Sequence, residues 1–149
     1  MKVMLVCSGG GHLAQLYRLR PWWQQYERIW VTFSGVQAES LLRGETVVPA
    51  FEPTTRNIPN ALRNFRLAIS LIRAERPDVI VSDGAGVAVP FFLVARACGV
   101  RTVYLEVYDR ISRPTLTGKL CYPLTELFLV QWQEQVAQYS RGQVIGCLL

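Results

Sequence analysis

The stretch Val3-Met4-Leu5-Val6-Cys7-Ser8-Gly9-Gly10-Gly11-His12 decides the fold class of this chain. Its first five residues are apolar without alternation, which is typical of a strand buried on both faces of a parallel sheet. The three glycines allow a tight turn after that strand. Leu13, Leu16 and Leu19 follow at three-residue spacing and predict a helix that Pro21 ends.

The rest of the chain continues this alternation of strands and helices. Further strands are predicted at residues 28–33, 46–50, 78–82, 101–107 and 128–132, and helices at 37–43, 61–76, 87–98 and 133–139. This order indicates an α/β fold with a mostly parallel, Rossmann-like sheet, doubly wound because crossover connections are right-handed. The length of 149 residues predicts one domain, 1–149.

The composition excludes a disordered chain, because 50% of the residues are hydrophobic and only 18% are charged. The formal net charge is +5, and every cationic residue except Lys2 and Lys119 is an arginine. Arginine suits bidentate contacts with phosphate or anionic headgroups. The excess is moderate and does not by itself indicate a nucleic-acid partner, so none is expected.

Metal and cofactor sites are not predicted. The four cysteines are widely separated, without the spacing of a zinc site, and the chain has a single histidine. Gly9-x-Gly11-x-x-Ala14 fits the dinucleotide fingerprint formally, but Thr32-Phe33-Ser34 stands where the acidic residue after the second strand is required. The apolar stretches are also far shorter than the roughly 20 residues that a spanning helix needs.

Three loops at the carboxyl ends of the predicted strands are candidates for ligand contact, because ligands of such sheets bind there. The first is the turn from Gly9 to His12, where the N–H groups of Gly9, Gly10 and Gly11 and the following helix can hold an anion. His12 is expected to bind an acceptor or to act as a general base. The alternative is that it caps the helix or fills a gap.

The second loop, Asp83–Gly86, and the third loop, Glu106–Arg110, carry carboxylates. In Asp83-Gly84-Ala85-Gly86, the aspartate is expected to bind a sugar hydroxyl or to cap the next helix, and a plain tight turn is the alternative. Glu106 ends an otherwise apolar strand, so its carboxylate is either functional or paired with Arg110 or Arg113. Arg110 itself is a candidate contact for substrate charge.

Two surfaces point to partners. Arg63, Arg66 and Arg73 form one stripe beside apolar residues of the 61–76 helix, a pattern typical of a helix at a membrane surface. A solvated arginine edge on a helix packed against the sheet is equally compatible. Trp22 and Trp23 are either interfacial anchors or core residues. The apolar residues 144–149 are expected to pack on their own sheet or on a second subunit.

Three segments together resemble one family. They are Ser8-Gly9-Gly10-Gly11-His12-Leu13, Asp83-Gly84-Ala85-Gly86, and Leu116-Thr117-Gly118-Lys119-Leu120-Cys121-Tyr122-Pro123 with Phe128-Leu129-Val130-Gln131-Trp132. The chain is similar to the asparagine-linked glycosylation protein 14 family, with its bacterial exopolysaccharide and capsule relatives of the PssD and CpsF type. The resemblance covers nearly the whole chain in order.

The resemblance implies the N-terminal half of a MurG-like GT-B glycosyltransferase, which engages a polyprenyl-diphosphate-linked glycan at the membrane. The UDP-sugar would be bound mainly by a separate donor-binding partner, similar to asparagine-linked glycosylation protein 13 or PssE. His12 takes the place of the histidine that ends the family's glycine turn, and Glu106 matches its acidic position. The expected location is cytoplasmic, peripheral on the inner face of the plasma membrane.

The chain departs from the eukaryotic members in starting directly at its first strand, so membrane attachment is expected to be peripheral. An inverting transfer needs a base for the acceptor hydroxyl and a cradle for diphosphate charge, which His12 and the glycine turn with nearby arginine would supply. Two alternatives stay open: a self-sufficient transferase that binds the nucleotide sugar itself, and a pure membrane scaffold for the catalytic subunit.

Overall fold

The computed structural model describes residues 1–148, which form one seven-stranded, all-parallel sheet. The strands are β1 (Lys2–Val6), β2 (Glu27–Thr32), β3 (Val47–Pro49), β4 (Val79–Ser82), β5 (Arg101–Leu105), β6 (Leu127–Val130) and β7 (Gly142–Val144). The helices are α1 (Gly11–Arg18), α2 (Arg20–Trp23), α3 (Val36–Leu41), α4 (Ile58–Glu75), α5 (Ala88–Cys98) and α6 (Leu116–Cys121), with 3₁₀ turns at Tyr122–Leu124 and Gln133–Ala137. The predicted α/β class is confirmed.

Helices cover both faces of the sheet, which explains why β1 is apolar at every central position. Met4 and Val6 pack into a core with α4 and α5, whereas Val3 and Leu5 pack into a second core with α1, α2 and α3. All four side chains are fully buried, as expected for a central parallel strand. The result is a three-layer α/β/α arrangement.

The strand order β3-β2-β1-β4-β5-β6-β7 changes direction between β1 and β4. The connections that leave these two strands go to opposite faces of the sheet, which opens a crevice between them at their carboxyl ends. The Gly9–His12 turn follows β1 and the Asp83–Gly86 turn follows β4. The topology thus brings two of the predicted loops to the two sides of one crevice.

Three of the differences between the observed and the predicted helix boundaries have a local cause. Helix α4 begins at Ile58 rather than at residue 61, because Pro59 is tolerated in the first turn and the Asn57 side chain accepts a hydrogen bond from Asn60 N. Pro21 does not end the helical region but lies in the first turn of α2. Helix α6 lies where no helix was predicted, and the Thr115 hydroxyl caps it by accepting from Gly118 N.

The predicted membrane contact at Trp23 is wrong. Its side chain is 1% exposed and packs edge-on against Trp30 at 5.4 Å, and its Nε1 donates to Leu16 O. Trp22 is half-buried beside it on the α1–α3 face of the sheet, opposite α4. Trp22 and the arginines of α4 therefore cannot lie together on one flat surface. None of the described helices is long and apolar enough to span a bilayer.

The segment after β6 packs on its own sheet. Strand β7 pairs with β6, and Ile145 N extends the ladder by donating to Val130 O. Leu148 is half-buried against the α1–α3 core. Of the two arrangements expected for residues 144–149, the structure supports packing on the same sheet, and Leu149 lies outside the described residues.

Candidate active site

The three predicted loops converge on one cavity of about 230 Å³ at the carboxyl edge of the sheet. His12 comes from the first loop, Ala85 from the second, and Val107, Asp109 and Arg110 from the third. Tyr104, Thr115 and Thr117 complete the lining. The site thus lies at the crevice between β1 and β4 and extends toward β5. This convergence was predicted from the positions of the loops.

His12 and Asp83 form a pair across the crevice. The His12 Nδ1 atom lies 3.1 Å from the Asp83 carbonyl oxygen and 3.4 Å from its carboxylate Oδ2. Because both neighbours are acceptors, Nδ1 carries the proton in the neutral ring, and Nε2 keeps its lone pair. The His12 side chain is 28% exposed and lines the cavity, and Nε2 has no hydrogen-bond partner among residues 1–148, so this nitrogen can meet a ligand. This is the arrangement that a general base requires.

The two groups shift each other's pKa. Burial raises the pKa of Asp83 to about 6, although the hydrogen bond and charge of His12 oppose the rise. For His12, burial lowers the pKa, but the hydrogen bond and charge of Asp83 outweigh it, and the net pKa is raised. The pair therefore exchanges protons with solvent near neutral pH as a coupled unit. Asp83 Oδ1 is buried and has no partner among residues 1–148.

The first glycine turn is held from outside by Gln37. The Gln37 side chain accepts from Gly10 N at 2.7 Å and donates to Gly10 O at 3.0 Å, while Gly9 lies half-buried beside it. The Gly10 N–H is therefore occupied. The N–H groups of Gly11 and His12, in the first turn of α1, have no intrahelical partner and stay available to an anion, whereas Leu13 is fully buried.

The second turn is shaped by close packing within the chain. A Cβ at Gly84 (φ 110°) would come within 2.6 Å of the Tyr104 hydroxyl, and one at Gly86 within 2.9 Å of Thr54 Cβ. These contacts favour the tight-turn interpretation for both glycines. Asp83 bonds to His12 from this turn, so the aspartate carries the chemical role of the segment.

Glu106 does not reach the cavity. Its carboxylate is fully buried and accepts from Val107 N and the Thr115 hydroxyl, each at 3.0 Å, and from the Tyr139 hydroxyl. The carboxylate fixes the start of α6 and therefore positions Thr115, so the structure supports a positioning role instead of the predicted catalytic one. No ion pair joins it to Arg110 or Arg113 within residues 1–148.

The remaining predicted residues are exposed. Arg110 lines the cavity, where it can meet a negatively charged ligand. Arg63, Arg66 and Arg73 are exposed on α4, on the α4–α5 face of the sheet, and do not line the cavity. A groove of about 440 Å³ between α4 and α5 is lined by Phe65, Ile69, Leu93 and Ala97, with Arg73 at its side. We call this groove and the three arginines the α4–α5 surface.

Several site residues were missed from the sequence. Gln15 donates to Asp83 Oδ2 from the buried side of α1, and Tyr104 and Thr115 line the cavity. A polar Gln15 between the buried Leu13 and Leu16 is a signal that sequence reading can detect, since an amide on an apolar helix face needs a partner. Tyr104 follows an apolar strand pattern and gives no such signal.

Comparison with known proteins agrees with this architecture. Residues 36–148 match the family model "Oligosaccharide biosynthesis protein Alg14 like". The chain is 24% identical to the UDP-N-acetylglucosamine transferase subunit ALG14 of Candida albicans, over 99% of this chain and 78% of the relative. The corresponding protein of Yarrowia lipolytica is 26% identical, over 99% of this chain and 81% of the relative.

Solved structures show the same fold. MurG of Acinetobacter baumannii superposes with a TM-score of 0.73 and 16% identity over 89% of this chain and 42% of that one. The S. aureus MnaA structure with UDP gives a TM-score of 0.78 and 16% identity over 99% of this chain and 45% of that one. The chain thus spans less than half of these structures, and its fold is that of a GT-B N-terminal half. With a family model matching most of its length, the chain belongs to the Alg14 family.

Proposed function

We propose that residues 1–149 act as a single acceptor-binding domain, the membrane-recruiting subunit of a two-chain glycosyltransferase. The enzyme would transfer a sugar from a UDP-sugar to a polyprenyl-diphosphate-linked glycan. The observation that carries the proposal is the His12–Asp83 pair, with Nε2 available at a cavity on the crevice between β1 and β4. Membership of the Alg14 family, whose relatives are named transferase subunits, supports the reaction class.

The transfer is a proton-balanced displacement. His12 Nε2 takes the proton of the acceptor hydroxyl as its oxygen attacks the anomeric carbon of the donor. The new carbon–oxygen bond forms while the bond to the UDP oxygen breaks, so UDP leaves with that bonding pair. The imidazolium is stabilised by the buried Asp83 carboxylate through Nδ1 and later returns its proton to solvent.

The acceptor diphosphate needs donors and positive charge beside the base. The free N–H groups of Gly11 and His12 and the guanidinium of Arg110 would provide both, and His12 and Arg110 line the same cavity. We propose no metal ion or cofactor for this chain. Among the hydroxyl residues that line the cavity, Tyr104 is fully buried and the Thr115 hydroxyl bonds to Glu106, so Thr117 is the one that suits the recognition of a sugar.

The donor would be held mainly by a second chain, similar to asparagine-linked glycosylation protein 13 or PssE. The names of the relatives support this division, because each is called a transferase subunit. UDP-N-acetylglucosamine is the first donor to test, because it appears in the names of the relatives. As the setting we propose exopolysaccharide or capsule synthesis, solely from the resemblance of the motifs quoted above to PssD- and CpsF-type proteins.

The α4–α5 surface is our proposed membrane contact, which would keep the subunit peripheral on the cytoplasmic face of the plasma membrane. The apolar groove can bury acyl chains, and the arginines can meet anionic headgroups. Ile58 and Leu62, 74% and 60% exposed on α4, extend its apolar area. An exposed apolar surface bordered by cations is what an interfacial contact needs.

The proposal is tested by reconstitution with radiolabelled UDP-N-acetylglucosamine and a synthetic polyprenyl-diphosphate sugar. This chain alone, its candidate donor-binding partner alone and the two together are assayed at equal concentration. We expect labelled product only from the pair. Full transfer by this chain alone would favour the self-sufficient enzyme, and transfer by the partner alone would favour a scaffold.

A further inference from the structure

Two buried glutamine side chains connect the His12–Asp83 pair to the C-terminal segment. Gln15 lies on α1 and Gln131 directly follows β6, and they are 1% and 2% exposed. Gln15 Nε2 donates to Asp83 Oδ2 at 3.2 Å, and Gln131 Nε2 donates to Gln15 Oε1 at 2.7 Å. Leu148 N donates to Gln131 Oε1 at 2.9 Å. We call Gln15 and Gln131 the amide relay.

The backbone gives each amide of the relay a single orientation. Gln15 Oε1 also accepts from Tyr108 N at 3.2 Å, and Gln131 Nε2 also donates to Glu106 O at 3.0 Å. A backbone N–H can only donate and a carbonyl can only accept, so neither amide can turn over without losing bonds. One N–H of each amide therefore donates along the relay in the direction of the Asp83 carboxylate.

Apolar side chains of similar length would fill the same space without needing partners. A buried amide is tolerated only where its groups are bonded, and a chain of bonds strengthens its members in a low-dielectric interior. In the relay, each hydrogen bond polarises the next, and the last of them is donated to Asp83 Oδ2. Within residues 1–148, His12 and Gln15 are the side chains that bond to that oxygen.

We propose that Gln15 and Gln131 are positioning residues that keep the Asp83 carboxylate ionised and directed at His12 Nδ1. The inference rests on the proposed role of His12 as the base, because it explains how Nε2 is held ready for an acceptor hydroxyl. Leu148 N donates to Gln131, the residue of the relay that is farther from Asp83. The backbone of the C-terminal segment thus contributes to the electrostatics of the site without lining its cavity.

The other ionisable groups around the pair come from three elements. Cys7 follows β1, Tyr104 lies on β5, and Asp109 and Arg110 belong to the loop between β5 and α6. The Cys7 and Tyr104 pKa values are raised well above neutrality, mainly by burial, so both groups stay uncharged when the pair titrates. The exposed Asp109 and Arg110 are common to all the variants below.

The single histidine allows the relay to be tested directly by ¹⁵N NMR of the imidazole, on protein without a histidine tag. Wild type is expected to show the Nδ1–H tautomer, with the Gln15 side-chain amide protons shifting at the same pH as the ring. Gln15→Met should lower the His12 pKa by about 1 and introduce the Nε2–H tautomer, because the carboxylate loses its donor. Gln131→Met should act in the same direction by a smaller amount.

Gln138→Met is the matched control. Gln138 also donates to a backbone carbonyl of the β5–α6 loop, Ile111 O at 2.8 Å, but it lies outside the relay, so the His12 titration should not change. An Nε2–H tautomer in wild type, or Gln15 amide protons that ignore the titration, would overturn the inference even if the variants fail to fold. A folded Gln15→Met variant with an unchanged His12 titration would overturn it as well.

These readouts need no transferase activity. If the NMR changes occur and the reconstituted pair transfers no sugar, the relay stands and the proposed function fails. If transfer occurs and the ring titrates identically in all folded variants, the proposed function stands and the relay fails.

Discussion

At the scale of single residues, Asp83 is placed where a carboxylate is costly. It is fully buried, one of its oxygens has no partner among residues 1–148, and burial raises its pKa to about 6. A buried acceptor without a partner destabilises a protein by about 1–3 kcal/mol. Residues that reduce stability in this way concentrate at functional sites, which is consistent with a role in the reaction.

Asp83→Asn should therefore stabilise the protein while lowering transfer. The folded-state pKa of Asp83 lies above its ordinary value of 3.8, so the group costs stability as the pH rises from about 4 to above 6. At pH 8 the gain in unfolding free energy should be about 1–3 kcal/mol, because a pKa raised from 3.8 to about 6 corresponds to at most about 3 kcal/mol, and the gain should shrink toward pH 4. Urea unfolding at several pH values measures it. Asp109→Asn, which changes an exposed carboxylate of the same site, is the control and should change the unfolding free energy little. An Asp83→Asn variant that is less stable than wild type at pH 8 would contradict this account.

The pH dependence of transfer offers a second test at this scale. A base must be unprotonated to act, so the rate should fall as the pH drops through the raised pKa of the His12–Asp83 pair. The midpoint of this acid limb in kcat/KM should lie above 6.5, the ordinary histidine value. A rate that does not change between about pH 5.5 and about pH 8 would show that another group limits the reaction.

The sequence identified the site residues unevenly. His12 could be predicted because it is the single histidine and follows a glycine turn at a strand end. Glu106 was assigned the wrong role, since its partners Thr115 and Tyr139 come from later segments that only the folded chain brings to it. The bond between Gln15 and Gln131 joins residues at opposite ends of the chain and is visible only in the structure.

At the scale of elements, helix α4 presents two different faces. Its inner face carries Asn60 and Asn64 as well as Ala68 and Ile72, and both asparagines bond to the backbone of residues 51–53. The outer face carries Leu62 and Phe65 beside the arginines. Sequence periodicity predicted this helix but not its inner asparagines, because their partners lie in a loop without a repeating pattern.

The outer face of α4 predicts a salt-sensitive membrane contact. Arg66→Glu with Arg73→Glu should release the protein from vesicles that contain anionic lipid, because each cation near such a surface contributes about 1 kcal/mol. Liposome flotation at low and high salt measures this. Arg18→Glu with Arg43→Glu makes the same change in charge at exposed positions in the α1–α3 region. Equal release by both pairs would show that total charge, not the α4–α5 surface, determines binding.

Helix α6 shows where prediction of elements failed. Its six residues include Gly118, a poor helix former, so no helix was predicted there. A Cβ at Gly118 would collide with the Glu106 carboxylate and the Tyr139 hydroxyl. The helix exists because tertiary contacts hold its first turn, and these contacts need glycine at that position.

At the scale of the whole molecule, the chain has the fold of one half of a larger enzyme type. The reversal of strand order places the candidate site at an open edge, with His12 partly exposed. The α4–α5 surface lies on one face of the sheet, away from the core that α1, α2 and α3 form on the other. The alternation of strands and helices predicted this architecture, since buried parallel strands have an unmistakable apolar pattern.

The central claim is that this chain contributes the base to the reaction, and single-turnover transfer by the reconstituted pair tests it most directly. His12→Ala should lower the rate of the chemical step by about 10²–10⁴-fold, the usual contribution of a general base. Association with the partner and with vesicles should not change. Arg18→Ala, at the exposed end of the same helix, should transfer at the wild-type rate. An unchanged rate for His12→Ala would contradict the account and leave this chain as a scaffold.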